Sequence, residues 1–448
     1  MTGAARFHFF VAFAFTVMAD PVSSVAYAIE SALNGLDGDL SELIPTMALV
    51  VGTIVVVAAT YHQLIGRFPE GGGGPRGLGA AFGEGFAFVP LGALLVDFTL
   101  TVAISCAAGA SAIIAYASEL ADLRVPLALG LAALVATAIC LGHRGRVVFA
   151  TATLLFLLLS LIMLGQGGAD ALGDPGSAGS RDGLIAGASL GPILLAMPLG
   201  MALATGVESP SDAIAQLGQL DRRGRRIFGQ LTIWLMVAIV GGLTLALAAL
   251  AVELGIGLPP EDSTLLAEIA RAAVGDGAQF AAFQAASALL LLAAAASAYL
   301  AASGLLRALA RHGGEGGGLV PAPLATRNRF FVPYWGVIAV LVAGALLIML
   351  AGGRDQELVS FYAVSVFASF LGALVGCARL SYRDGRRREL AINALGIALV
   401  AFVLALNVTR LDGLVALSAS ALVALYLWGA WVRRGRPAGV ARAGHAAD

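Results

Sequence analysis

The sequence predicts an all-α polytopic membrane protein, and three observations support this fold class. Apolar residues make up 59% of the 448-residue chain, and charged residues make up only 12%. The mean hydropathy is correspondingly high, at +0.89. A water-soluble domain cannot bury so much apolar surface, because burial is limited by the ratio of surface to volume. About twelve stretches are long and apolar enough to cross a bilayer.

The predicted spans follow one another along the whole chain, with short polar loops between them. In order they cover residues 7–35, 42–63, 79–116, 124–142, 146–165, 186–218, 228–254, 279–309, 332–352, 357–377, 390–408 and 412–432. The third and the eighth are long enough to be strongly tilted or to extend past the bilayer. The 57 glycines supply small surfaces at which such helices can approach one another closely.

The charges of the connecting loops predict the topology. The chain has no lysine, so all 27 basic residues are arginines. With the N-terminus placed inside, 22 of the 27 arginines fall in inner loops. The remaining five are Arg124, Arg181, Arg271, Arg354 and Arg410. Cytoplasmic loops carry such an excess of positive charge, so both termini are predicted to be cytoplasmic.

Three acidic residues, Asp20, Asp97 and Glu208, lie deep in apolar sequence. A charge at the bilayer midplane costs ~2.5–3.5 kcal/mol on insertion scales, so such residues usually face a cavity and mark an ion or substrate path. A carboxyl in apolar surroundings also takes up a proton more readily than one in water. All three are therefore predicted to couple solute movement to protons. For Asp97, a structural bond to a neighbouring helix is the alternative.

Two predicted spans contain helix-breaking sequence beside a buried acid. In the first span the break is Asp20-Pro21-Val22-Ser23-Ser24, and in the sixth it is TGVESP at 205–210. Paired broken helices in corresponding positions indicate an inverted-repeat transporter with a midplane site. Alternatively these groups only cap helices, with Asp20 as an N-cap before Pro21 and with Ser209 and Asp212 forming a capping box.

Hydroxyl groups accompany each buried acid. Tyr27 lies two helical turns beyond Asp20, Thr101 lies one turn beyond Asp97, and Thr205 precedes Glu208 by three residues. Each hydroxyl alone is more often bonded to its own helix backbone. Together they place hard oxygens beside the acids, and hard cations select such oxygens. Ser23 and Ser24 add two more hydroxyls at the first break.

Nothing in the sequence predicts a cofactor or an enzyme. Cys106, Cys140 and Cys377 lie in apolar runs and are interpreted as small buried side chains. Without lysine there is no Walker A motif, so ATP hydrolysis is not expected. A channel would need a filter, and no TVGYG-like element occurs. The glycine-rich loops near 166–183 and 312–318 are interpreted as flexible connectors, and no nucleic acid partner is expected.

Five motifs carry a resemblance to a known family: DPVSSVAYAIE at 20–30, FPEGGGG at 68–74, LLVDFTLTVAIS at 94–105, TGVES at 205–209 and FYAVSVFASF at 361–370. They resemble the amino acid–polyamine–organocation (APC) superfamily of permeases, and the nearest branch is the KimA-type potassium importers. The similarity covers roughly residues 10–410. It implies the LeuT-type fold, in which two inverted five-helix repeats are followed by two extra helices, and proton-coupled uptake.

The resemblance also assigns roles to residues. The first motif matches Asp20 and Tyr27 to the family's potassium site, and the third motif adds Asp97 and Thr101. TGVES adds Thr205 and Glu208, and the last motif adds Tyr362. The potassium ligands predicted on this basis are Asp20, Tyr27, Thr101 and Thr205. Ser23, Ser24 and Tyr362 complete the predicted ion or substrate site.

The sequence departs from the family pattern at three places. Phe98 follows the buried Asp97 where the family often has tyrosine, which removes one oxygen. Pro75 and Arg76 follow the glycine run in place of a small residue and a tyrosine. Only about fifteen residues follow the last span, so the large cytoplasmic domain of KimA-type proteins, with its nucleotide regulation and dimerisation, is not expected here.

The predicted organisation is a cytoplasmic tail at 1–6, a ten-helix transport core at 7–377, two further helices at 378–433 and a cytoplasmic tail at 434–448. Two functions are predicted for this core in a bacterial plasma (inner) membrane. One is proton-coupled potassium symport, with K⁺ and H⁺ as substrates rather than cofactors. The other is proton-coupled uptake of an amino acid or polyamine. The oligomeric state, a homodimer included, stays open.

Overall fold

A computed structural model describes residues 3–143, 145–173, 189–312 and 318–441. Every regular element in these ranges is helical. The α-helices are α1 (Gly3–Val17), α2 (Ala19–Ser23), α3 (Val25–Gly35), α4 (Leu43–Arg67), α5 (Gly73–Phe82), α6 (Phe88–Tyr116), α7 (Arg124–Cys140), α8 (Arg146–Gly173), α9 (Leu190–Gly200), α10 (Ser209–Ala213), α11 (Arg222–Glu253), α12 (Leu265–Val274), α13 (Ala278–Arg311), α14 (Tyr334–Leu350), α15 (Asp355–Arg383), α16 (Arg387–Val408) and α17 (Leu411–Arg433).

The predicted all-helical membrane architecture is confirmed. Within the described ranges, ten helical segments are long and apolar enough to cross a membrane. The two other predicted spans are shorter or divided: residues 7–35 are split among α1, α2 and α3, and α14 has 17 residues. The first helix already begins at Gly3, inside the stretch predicted as a tail.

The helices that carry the buried acids and their neighbours occupy the centre of the molecule. Most of α6, α13 and α15 is buried, whereas α16 and α17 expose most of their length. Helix α6 packs closely against α17 because Gly92 has no side chain: a Cβ there would lie 2.7 Å from the Ala424 nitrogen. The two C-terminal helices therefore pack against the outside of the core.

Contacts between loops group them at two ends of the bundle. At one end, the Arg67 guanidinium pairs with Asp384 at the α15–α16 turn. There too, Glu84 before α6 accepts a bond from the nitrogen of Gly439, past α17. At the other end, Arg124 donates to the Glu261 carbonyl. These two groups match the predicted arginine-rich and arginine-poor sets, of which Arg144, Arg181 and Arg442 lie outside the described residues.

The two predicted helix breaks differ in how far the backbone departs from helical geometry. In the first, Met18 and Ser24 interrupt the helix but both keep right-handed helical backbone angles. In the sixth span, Thr205 leaves the helical region (φ −50°, ψ 129°) and Gly206 adopts a left-handed conformation (φ 75°). The first interruption is thus a pair of kinks, whereas at the second the chain leaves the α-helical path and the bonds become of the i→i−3 type, as from the Val207 nitrogen to the Ala204 carbonyl.

The capping alternative is wrong for both breaks. Asp20 lies inside α2, which begins at Ala19 without a side-chain cap. Helix α10 follows Glu208, and no side chain caps it either, so Ser209 and Asp212 form no capping box. True side-chain caps occur elsewhere, as at Asp221, which accepts a bond from the Gly224 nitrogen at the start of α11. The polar groups at the breaks are therefore available for other roles.

Candidate functional site

The two interrupted spans meet at the centre of the molecule. The hydroxyl oxygens of Tyr27 on α3 and Thr205 at the sixth-span break are 3.5 Å apart. One turn earlier, the Ser24 hydroxyl donates to the Leu203 carbonyl at 3.2 Å. The tertiary structure thus brings together polar groups that lie about 180 residues apart in the sequence.

Gly206 lets the sixth-span break approach Asp20. A Cβ at position 206 would lie 2.8 Å from Asp20 Oδ2 and 2.8 Å from Pro21 Cδ, closer than real side chains come. The left-handed backbone at this position also disfavours any L-residue other than glycine. The carboxyl of the first break therefore rests against the bare backbone of the second.

Asp97 forms the next part of the site. It lies on α6 and is almost fully buried, as is Thr101 one turn further along the same helix. The hydroxyl of Tyr362 on α15 lies beside the Asp97 carboxyl. The Tyr362 oxygen is not aligned for a hydrogen bond with this or any other described group. Asp97 also interacts electrostatically with Asp20 and with Glu208, so the three acids form one cluster.

Several buried oxygens of this cluster have no hydrogen-bonding partner among the described residues. They are Asp20 Oδ1, Asp97 Oδ1, Glu208 Oε2 and Tyr362 Oη. Leaving a buried polar group unsatisfied costs about 1–3 kcal/mol, and more for a charged group. A bound proton or cation would satisfy these oxygens, so their arrangement favours a site for positive charge.

Three of the predicted hydroxyls donate their protons to backbone carbonyls. Ser23 and Ser24 donate to the carbonyls of Asp20 and Pro21, each at 2.7 Å. Thr205 donates to the Ala202 carbonyl at 2.6 Å. A hydroxyl that donates its proton to the backbone still has lone pairs with which it can coordinate a cation. The hydrogen bonds to the backbone therefore fix each hydroxyl so that its oxygen can act as an acceptor.

Further acids are buried beyond the three that sequence reasoning selected. Glu30 accepts a bond from the Leu265 nitrogen at 2.8 Å, and Asp355 accepts one from Ser111 at 2.7 Å. Arg124 donates to the same Ser111 hydroxyl at 2.9 Å. These groups lie at the arginine-poor end and are satisfied by partners, unlike the acids of the central cluster. They were missed because each lies near the end of an apolar stretch, where a carboxyl is expected to be exposed.

Two residues of the central region had no clear local signal in the sequence. Tyr61 on α4 is buried and interacts electrostatically with Glu208, Asp212 and Asp97. Asp212 follows Glu208 by four residues, and the sequence suggested for it only a place in a capping box with Ser209. The orientation of α4 about its axis decides where the Tyr61 side chain points. The course of the chain after Gly206 decides this for Asp212.

A cavity of about 320 Å³ reaches the cluster from the arginine-rich end. Its lining includes Glu208 and Asp212 as well as Arg307 and Arg327. Gly72, next to the loop that contains Glu70, also lines it. Of the three central acids, Glu208 is the one that faces this cavity.

No resident metal centre is indicated within the described ranges. No group of three or more His, Cys, Asp or Glu side chains there is placed to hold a metal ion. Cys106 and Cys377 are buried as expected, and Cys140 is half-buried. The Cys377 thiol donates to Gln63 Oε1 at 3.2 Å. A cation at the central site would be held by a mixture of hydroxyl, carbonyl and carboxylate oxygens.

Comparison with known proteins supports the resemblance seen in the motifs. The family described as "Amino acid permease" matches residues 7–431. The potassium transporter KimA of Bacillus subtilis (strain 168) is 29% identical over 404 residues, which are 86% of this chain and 63% of KimA. The chain thus spans less than two thirds of the length of that relative. Both comparisons point to transporters and not to enzymes.

Proposed function

This chain belongs to the amino acid permease family, and from this premise we propose that it is a secondary active transporter that imports potassium together with protons. One observation carries the proposal: three buried carboxyls with unpartnered oxygens lie together where two interrupted spans pack beside α6, and none forms an ion pair with a described residue. Positive charge is what such a site lacks. The likeness to a potassium transporter agrees with this choice.

In the proposed mechanism, potassium enters from the arginine-poor side, taken as the outside of a bacterial plasma membrane. The hydroxyls of Tyr27, Thr101 and Thr205 coordinate it together with local carbonyls. Asp20 supplies negative charge where the two breaks meet. Ser23, Ser24 and Tyr362 add oxygens to this site, while Glu208 or Asp97 takes the proton.

Protonation is proposed to shift the equilibrium between outward- and inward-facing states. A ligand shifts a conformational equilibrium only as far as its affinities for the two states differ. Glu208 faces the cavity at the arginine-rich end, whereas Asp97 is buried among α6 and α15. A proton on Glu208 can therefore exchange with that side, while the proton gradient sets the direction of net transport.

Proton-coupled amino acid uptake is the second candidate, favoured by the description of the family. Asp20 argues against it, because the carboxylate of an amino acid would meet a carboxylate at the first break. Pro21, the next residue, offers no N–H to bind that carboxylate. An amino acid would fit only with Asp20 protonated. A polyamine is positively charged and would bind the same acids in their ionised form.

The test is uptake into proteoliposomes under an inward proton gradient, with rubidium as a tracer for potassium beside labelled amino acids and a labelled polyamine. Saturable rubidium uptake, competed by potassium and abolished by a protonophore, is expected. Protein-free liposomes and the Asp20→Asn variant serve as controls. Amino acid or polyamine uptake without rubidium uptake would overturn potassium symport in favour of the second candidate.

A further inference from the structure

Asp212 extends the acidic cluster toward the arginine-rich end. It lies four residues after Glu208, and its backbone nitrogen donates to the Glu208 carbonyl at 3.2 Å. That bond closes one helical turn, so both carboxyls project from the same side of the segment. Both side chains line the cavity of about 320 Å³.

Neither carboxyl is neutralised by a described residue. Glu208 is 4% exposed, and its Oε2 has no hydrogen-bonding partner although the side chain lines the cavity. Asp212 is half-buried and forms no ion pair with the described residues. It packs against the glycine run: a Cβ at Gly73 would lie 2.5 Å from Asp212 Oδ1. The absence of a side chain at position 73 thus makes room for this carboxyl.

We propose that Asp212 is the residue that passes the coupling proton from Glu208 to the solution at the arginine-rich end. This inference rests on the proton coupling proposed above. In the first step, protonated Glu208 gives its proton to the Asp212 carboxylate, directly or through cavity water. In the second, protonated Asp212 gives the proton to water, which becomes hydronium. Both carboxyls end ionised, and no other reactant is needed.

The chemistry of the two carboxyls favours a proton over a metal cation as the species that Asp212 binds. The charged and titratable groups around the pair are Asp20, Asp97 and Tyr61 toward the centre of the protein, with Arg307 and Arg327 in the lining of the same cavity. A proton that moves between carboxyls stays covalently bound to an oxygen at each stage. It therefore needs no shell of several oxygen ligands, as a metal cation does.

The test compares two activities of the same proteoliposomes. One is net rubidium uptake driven by a proton gradient, with a pH-sensitive dye inside to report proton arrival. The other is rubidium exchange at equal acidic pH on both sides, which needs no net proton release. For Asp212→Asn, the ratio of net uptake to exchange is expected to fall about tenfold or more. Asp212→Glu should restore most of the ratio.

Ser209→Ala is the matched control, because Ser209 lines the same cavity without a titratable group. Its ratio should equal that of the wild type. An Asp212→Asn protein that loses both activities equally, or neither, would overturn the role of Asp212. A wild-type protein without proton-driven rubidium uptake would instead overturn the proposed function, so the two failures are distinguishable.

Discussion

The hydroxyl oxygens of Tyr27 and Thr205 lie 3.5 Å apart, and they join the two interrupted spans at the centre of the protein. Thr205 also donates to the Ala202 carbonyl, so its lone pairs face the site. The distance is long for a hydrogen bond between hydroxyls. Two oxygens at this separation can instead share one ligand, which is how we interpret the pair.

Tyr27→Phe and Thr205→Val each remove one of these oxygens with little change in volume. We expect each to raise the apparent KM for rubidium by roughly tenfold, the effect of losing one contact to a charged ligand. The double variant should raise the KM by less than the product of the two single increases, because both oxygens contact the same ion. Thr205→Ser keeps the hydroxyl and is the control. An unchanged KM in both single variants would remove the pair from the site.

Gly206→Ala tests whether the sixth-span break depends on a bare backbone. The new Cβ would meet Asp20 Oδ2 at 2.8 Å in a left-handed backbone region. We expect transport to be lost and the free energy of unfolding to fall by about 1–3 kcal/mol, measured as a lower melting temperature in detergent. Gly165→Ala in α8 is the control, since nothing lies within 4 Å of its Cβ. Wild-type transport by Gly206→Ala would contradict this geometry.

Replacing each central acid by its amide removes the carboxyl charge and keeps the shape of the side chain. We expect Asp20→Asn to raise the KM for rubidium about tenfold or more. Glu208→Gln should leave a slower uptake that no longer depends on the proton gradient, and Asp97→Asn should show whether this residue shares that role. All three should fold, because a neutral amide leaves no buried charge unpaired.

Glu261→Gln is the surface control for these variants, since the Glu261 side chain is 86% exposed. It should transport as the wild type does. If Asp20→Asn, Asp97→Asn and Glu208→Gln all transported at wild-type rates, the assignment of the site would be wrong.

The satisfied network at the arginine-poor end is expected to hold that end closed. Asp355 accepts bonds from Ser111 and Gln356, and Gln356 in turn accepts a 2.6 Å bond from Ser31 on α3. Asp355→Asn should weaken these contacts by about 1–3 kcal/mol. The expected result is faster amide hydrogen exchange at the outer ends of α3 and α15.

Glu357→Gln is the matched control for this measurement, because it changes an exposed acid on the same helical turn as Asp355. Its exchange pattern should match that of the wild type. Equal exchange in the Asp355→Asn protein would show that other contacts keep this end closed.

Local properties of the sequence were enough to predict much of this protein. Hydropathy and length predicted the spans, because a bilayer imposes the same length on every helix that crosses it. Arginine placement predicted which loops lie together, as the contact of Arg67 with Asp384 shows. Placement in apolar sequence located the acids and most hydroxyls of the site, the family resemblance assigned them roles, and the structure places Asp20, Tyr27 and Thr205 side by side.

Only the tertiary structure decided what these residues meet. The kinked first span and the truly broken sixth span have similar sequence signals, Asp-Pro and Ser-Pro, but only Gly206 takes up a left-handed conformation. The roles considered for Tyr61 and Asp212 depend on helix rotation and on the close approach of Gly73. Periodicity along one helix cannot specify such contacts, because they are set by packing between helices distant in sequence. The sequence by itself determined which polar groups enter the membrane, and packing decided which were satisfied and which face the cavity.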